Sequence, residues 1–172
     1  LVDSIYQTHN NLLADNPDKE GIDGSTAVVC MVYQGKLWTI HVGDSRAILS
    51  RNKKPLSLTE DHSPTRESEF QRIVEDEGLV IKRRFDCPRV YFLDGTGGLA
   101  MSRALGDEFY HRGDVDLVPA DPEISVRDIQ KEDDFLLLVS DGMLESKSES
   151  ELVDEAQFFL NKGMSEETIC RE

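Results

Sequence analysis

The sequence predicts an α+β fold in which sheets are covered by helices, and three observations lead to it. Short β-branched and apolar runs gather in the middle of the chain, at 25–50 and again at 79–140. Amphipathic segments stand before, between and after those runs. Clusters of Gly, Pro, Asn and Asp punctuate the joints between them. A chain of 172 residues is long enough for one domain with a sizeable core, so a single domain over 1–172 is the expectation.

Residues 1–14 carry Val2, Ile5, Tyr6, Leu12 and Leu13, as in the tail of an amphipathic helix. "ADNPDKEGIDG" (14–24) then reads as a loop. "STAVVCMVY" (25–33) is β-branched and apolar, a buried strand. "KLWTIHV" (36–42) and "RAILS" (46–50) follow as two strands joined by a tight turn at "GDS". "SPTRESEFQRIVEDEG" (63–78) is the clearest helix: Ser63 suits the cap, Pro64 the first position and Gly78 the place after the end. Its apolar stripe is Phe70, Ile73 and Val74, with charges elsewhere. "LVIKRR" and "RVYFL" read as strands either side of "FDCP", and 106–122 as an irregular polar excursion. "EISVRDI" (123–129) alternates like a half-buried strand, while "DFLLLVS" (134–140) is continuously apolar like a central one. The remainder, 147–172, reads as two helices meeting near "NKGMS".

Composition narrows the partners. Thirty-four acids against 19 basic residues leave a net charge of -15, so nucleic acid and anionic membrane surfaces are not expected. No run approaches the roughly 20 apolar residues that span a bilayer, and the start lacks the basic and apolar blocks of a signal peptide. The chain begins without Met, as an internal piece of a longer one would. Cys30, Cys87 and Cys170 are odd in number and form no CxxC pair. Ordinary thiols in a reducing compartment, cytoplasmic or nuclear, are therefore expected.

Several short stretches could carry chemistry. Asp141 follows the apolar run "FLLLVS", and an ionised carboxylate at the edge of a core is costly unless paired. If a short helix begins there, Glu145 stands on the same side, about 5–6 Å away at Cβ. Such a pair suits a hard divalent cation, which takes one or two carboxylates and keeps its waters; an exposed acid at a helix start and a solvated Glu would explain it equally. "LTEDHSP" supplies Asp61, for an ion or for a turn before the helix, and His62, for a general acid or, more plainly, a hydrogen-bonding residue at the surface. "VGDSRA" supplies Asp44 and Arg46, with the hairpin turn as the plainer explanation. "GTGGLAMSRALGD" lacks the Lys-Ser/Thr of a phosphate-binding loop, and its Arg103 and Asp107 fit an ion pair.

Taken in order, "GSTAVV", "LWTIHVGDSRAILS", "LSLTEDHSP", "GGLAMSRALGD", "PEISV" and "DDFLLLVSDGMLE" closely resemble the metal-dependent protein phosphatases of the PPM family, type 2C, from Gly24 to Glu145. The resemblance implies a four-layer αββα sandwich, two mostly antiparallel sheets flanked by helices, of which this chain is the central portion. It implies two Mg²⁺ or Mn²⁺ ions, with a third weaker site, and hydrolysis of phosphoserine and phosphothreonine in proteins by a metal-activated water. Asp141 matches a metal-binding Asp, and Asp61 an Asp linked to the third site. Glu145 stands where a second Asp of that site is usual. Residues 107–121 correspond to a flap beside the active-site cleft. The family's Asp-Gly-His-Gly-Gly motif, with its phosphate-binding Arg and candidate catalytic His, is expected before Leu1, and its Asp-Asn motif after Glu172. "DGTGG" (94–98) imitates the first motif out of order. The implied substrate is a phosphoprotein and the implied state a monomer. A catalytically inactive relative serving as a regulatory binding module is the alternative, and a nucleotide-binding domain around "GTGG" a more distant one.

Overall fold

The computed structural model describes residues 2–14 and 23–171, so most of the loop expected at 14–24 lies outside the described residues. In chain order the helices are α1 (Val2–Ala14), α2 (Glu67–Glu75), α3 (Asp141–Leu144), α4 (Glu149–Asn161) and α5 (Glu166–Ile169). The strands are β1 (Gly24–Ser25), β2 (Ala27–Tyr33), β3 (Lys36–Val42), β4 (Arg46–Arg51), β5 (Lys54–Ser57), β6 (Gly78–Lys82) and β7 (Pro88–Phe92). They continue with β8 (Gly97–Leu99), β9 (Leu105–Gly106), β10 (His111–Arg112), β11 (Val115–Asp116), β12 (Glu123–Asp128) and β13 (Asp133–Val139). The class is α+β, as expected. Three sheets have three strands each, in the orders β12-β3-β2, β13-β4-β5 and β6-β7-β8, and β1-β9 and β10-β11 form two-stranded ladders.

The residues group into two compact units, Leu1–Val29 with Ile40–Ser45 and Glu60–Ile124, and Cys30–Thr39 with Arg46–Thr59 and Ser125–Glu172. In the first, Ile73 of α2 packs with Val90, Phe92, Ala104, Tyr110, Leu117 and Val118. A second cluster joins Ile5 of α1 to Ile40, Val42, Leu105 and Ala120. In the second unit α4 lays Leu152 and Val153 against Ile48 of β4. Val153 is fully buried, worth about 1.5–3 kcal/mol relative to exposure. Ser148 starts α4 with a capping box, accepting from the Glu151 N–H while the Glu151 carboxylate accepts from its own N–H.

Four elements depart from expectation. "GDS" is no hairpin turn: β3 and β4 belong to different sheets. Both strands are buried almost throughout, so each is the middle strand of its own sheet, and the joint is a crossover. Gly43 sits at φ +97° in it, where a Cβ would come within 2.4 Å of Thr26 Cγ2. Helix α2 starts later than expected because Ser63 caps a turn instead, its carbonyl accepting from the Arg66 N–H. It also ends early, since Glu77 (φ 57°) reverses the chain and Gly78 already opens β6. Strand β13 is an edge strand with Leu138 half exposed, not a central one. In β12 it is Glu123 and Ser125 that turn inward, while Ile124 and Val126 face out. The excursion at 106–122 carries a short 3₁₀ turn, Glu108–Tyr110, and the β10–β11 hairpin.

Candidate functional site

Strand β13 delivers its last residues to α3, a single helical turn. Ser140 is the N-cap, in extended conformation, and makes no side-chain cap bond, so Asp141 is the first helical residue rather than the cap. The Glu145 N–H donates to the Asp141 carbonyl at 2.9 Å, which places the two acids one turn apart in the second unit. Both are exposed, and among the described residues neither carboxylate takes an ion pair or a side-chain hydrogen bond. Two carboxylates of this spacing, open to water, fit the donor set of a hydrated divalent cation.

Asp61 lies in the first unit, half-buried at the turn before α2, its carbonyl accepting from the Ser63 N–H. Its neighbour His62 is fully buried rather than at the surface, because its ring takes the Gly43 N–H inside the unit. Gly43 and His62 exchange hydrogen bonds: the Gly43 N–H donates to Nδ1 at 2.9 Å, and the His62 N–H donates to the Gly43 carbonyl at 3.1 Å. The ring of His41 stacks on that of His62, with centroids 4.6 Å apart and planes 8° from parallel. His41 itself bonds the Glu60 carbonyl through Nε2.

His41, His62 and Glu123 present ligand atoms within 4.8 Å of one another, close enough for one ion. Three features oppose that use. With Nδ1 accepting from Gly43, a neutral His62 carries its hydrogen on Nε2, the atom that faces Glu123 Oε1 at 3.6 Å. Imidazole binds a metal in its own plane, and two nearly parallel stacked rings do not share a point in both planes. Glu123 already pairs with Arg66 Nη1 at 2.7 Å. Burial, aided by the positive charge of Arg103, pushes His62 down to about 4, so the ring is neutral at physiological pH.

Beside it lies a denser network. Glu69 is 1% exposed. Its carboxylate accepts from Arg103 Nη2 at 2.5 Å, Ser102 Oγ at 2.9 Å and Arg72 Nη2 at 3.2 Å. Burial opposes its ionisation, but bonds from Arg103 and Ser102 and the Arg72 charge together hold it down at about 2. Arg72 also donates to the Ser102 carbonyl at 2.8 Å and the Leu117 carbonyl at 3.3 Å, and Arg103 to the Asp121 carbonyl at 3.0 Å. One carboxylate thus organises two arginines that fasten two loops, β8–β9 and β11–β12.

The family model described as "Protein phosphatase 2C" matches residues 1–172. The chain belongs to that family. "Probable protein phosphatase 1N" of Mus musculus is 38% identical over 154 residues, covering 87% of this chain and 36% of that protein. "Probable protein phosphatase 2C 24" of Arabidopsis thaliana is 41% identical over 140 residues, covering 81% and 35%. A solved structure of a serine-threonine phosphatase 2C from Toxoplasma gondii superposes with a TM-score of 0.83 at 22% identity, over 94% of this chain and 55% of that one. The chain thus spans about a third of the two named relatives, by the shares just given.

Within this protein phosphatase 2C chain, the acids singled out by sequence fall in both units: Asp141 opening α3 and Glu145 capping its end, Asp61 on the turn before α2. Arg46 pairs with Glu149 at 3.0 Å, and Arg103 with Glu69 rather than with Asp107. "DGTGG" is the β7–β8 turn, its Asp94 accepting from the Thr96 N–H and hydroxyl at 2.8 and 2.5 Å. Sequence reasoning missed Glu69, Ser102 and Glu123. One signal was available for the first: Glu69 is four residues before Ile73, hence on the same helix face as the most buried residue of α2.

Proposed function

We propose that the protein carrying this chain is a metal-dependent phosphatase acting on phosphoserine and phosphothreonine in proteins, working as a monomer in a reducing compartment. The observation that carries this is the family match over the whole chain; the open Asp141–Glu145 pair supports it. Asp141 would give a carboxylate oxygen to Mg²⁺ or Mn²⁺, directly or through water. Asp61 and Glu145 would serve a third, weaker ion, the longer Glu side chain carrying its oxygens further from the helix than an Asp would. When bound, such ions supply a Lewis acid that polarises the phosphoryl group and acidifies water. The residues of 107–121 would border the substrate.

No cysteine is needed as nucleophile. Burial pushes the Cys30 thiol up, away from the thiolate, and Cys87 and Cys170 are free and exposed. No helix among the described residues is long and apolar enough to cross a bilayer.

The test is hydrolysis of a phosphothreonine peptide by the full-length protein, with Mn²⁺, with EDTA, and with Asp141→Asn. Turnover that needs metal and falls at least about 100-fold in the variant supports both the reaction and the ligand, the upper range for disturbing a metal shell. Absence of turnover from folded wild type would overturn the hydrolase reading in favour of a binding module.

A further inference from the structure

Outside the residues assigned to that chemistry, a cluster of titratable side chains surrounds the β10–β11 hairpin of the first unit. His111 on β10 directs Nδ1 at Asp116 Oδ1 on β11, 3.0 Å away, across the register that pairs these two residues. On α1, His9 is 8% exposed, accepts from the Gly106 N–H through Nδ1 at 3.1 Å, and lies 5.5 Å from the His111 ring. Asp107 is 6% exposed and left-handed at φ 52°. Its N–H donates to the Asp23 carbonyl, and its own carbonyl accepts from the Tyr110 N–H, both at 2.9 Å. Its carboxylate lies directly on Gly24, where a Cβ would fall 1.9 Å from Oδ2. No larger residue fits there while Asp107 stays in place.

We propose that His9, Asp107, His111 and Asp116 form a proton-operated clasp: a proton on His111 of β10 holds Asp116 of β11 and compensates the neighbouring Asp107, and its loss loosens the hairpin.

His111 is faced by Asp116, by Asp107 and by His9; Asp107 is faced by His111, Asp23 and Tyr110. The Asp116 carboxylate 3.0 Å from its ring raises His111 above the ordinary histidine value. Burial, with Asp23 adding to it, raises Asp107 to about 6 against the pull of His111. Burial and the His111 charge lower His9. The signs then follow. The His111 contribution is complete below its unfolded value of about 6.5 and is lost as pH rises through its higher folded value. Asp107 is ionised above about 6, and that buried charge is left uncompensated once His111 is neutral. His9 acts oppositely: held neutral in the fold, it costs stability as pH falls through its unfolded value of about 6.5. The clasp therefore opens upward from neutral pH, where His9 is already neutral. This inference does not depend on the phosphatase reading.

The reporter is the Leu117 amide, which closes the base of the hairpin by donating to the Tyr110 carbonyl at 3.1 Å. Its hydrogen-exchange protection, corrected for intrinsic exchange, is measured in the full chain near pH 6 and near pH 8.5. A fall of roughly fivefold is expected, the size of one partly exposed ion pair. The Leu58 amide, which donates to the Ala47 carbonyl in the second unit, should not change. In His111→Gln the Leu117 amide should show the lower protection at both pH values. Equal protection in wild type, or a fall that persists in His111→Gln, overturns the proposal. Should that variant not fold, the wild-type His111 ring titration decides: its midpoint must coincide with the loss of protection, and separate midpoints overturn the clasp.

Discussion

Replacing Glu69 by Gln removes the charge that two arginines share while keeping the side chain's shape. The two arginines hold the carboxylate at about 2, against an ordinary glutamate value of 4.5. That difference corresponds to about 3 kcal/mol favouring the ionised form, at 1.36 kcal/mol per unit. The site is 1% exposed, so solvent screening takes little from the figure, and it falls in the range for breaking a buried pair from one side. For a chain of this size about 3 kcal/mol lowers Tm by roughly 6–12 °C. A depressed carboxylate stabilises above its unfolded value and loses that contribution as pH falls through the folded one. The gap between wild type and Glu69→Gln should therefore be full at neutral pH and shrink by more than half near pH 3. Far-ultraviolet circular dichroism melts of both proteins across that range measure it. A shift below about 2 °C at pH 7, or a gap constant with pH, would refute the network as the source of stability. A Glu69→Gln/Arg103→Gln double variant should lose less than the sum of its parts, because the second change removes a cation already stripped of its partner.

Three further outcomes follow from other sites. Gly43→Ala should cost about 2 kcal/mol or more in urea unfolding, since φ is +97° and Thr26 occupies the space a Cβ needs; a loss under about 0.5 kcal/mol would mean that the crossover relaxes freely. His62→Phe keeps a ring to stack on His41 but removes the acceptor for the Gly43 N–H, and should cost about 1–3 kcal/mol; unchanged stability would show that this amide finds another partner. Ser148→Ala should cost about 1 kcal/mol by removing the capping box of α4, and adding Glu151→Ala should cost little more; two independent full losses would contradict a shared box.

The fold class was legible because strand and helix periodicities are local properties, and "FLLLVS" and "SESELVDEAQFFLN" show them plainly. Which strand is central is not local. Strand β13 is as apolar as a middle strand yet stands at an edge, because its apolar character serves packing against α4 on one face. "GDS" misled for a related reason: a three-residue joint between extended segments is compatible with a hairpin or a crossover, and only the burial of both strands separates the two. The acids Asp61, Asp141 and Glu145 were legible as candidates because short motifs surround them. Glu69 was hidden, since a charged residue on a helix is ordinarily solvated, and its partner Arg103 lies 34 positions away.

The paired bonds between Gly43 and His62 act as a splint across the first unit. Asp44 adjoins one end of it and Asp61 the other. Whatever displaces either acidic loop drags its companion along, through one backbone bond and one buried imidazole. Selection on the crossover glycine is then also selection on the aim of an acid 18 residues further on, and damage at one loop would be felt as lost alignment at the other.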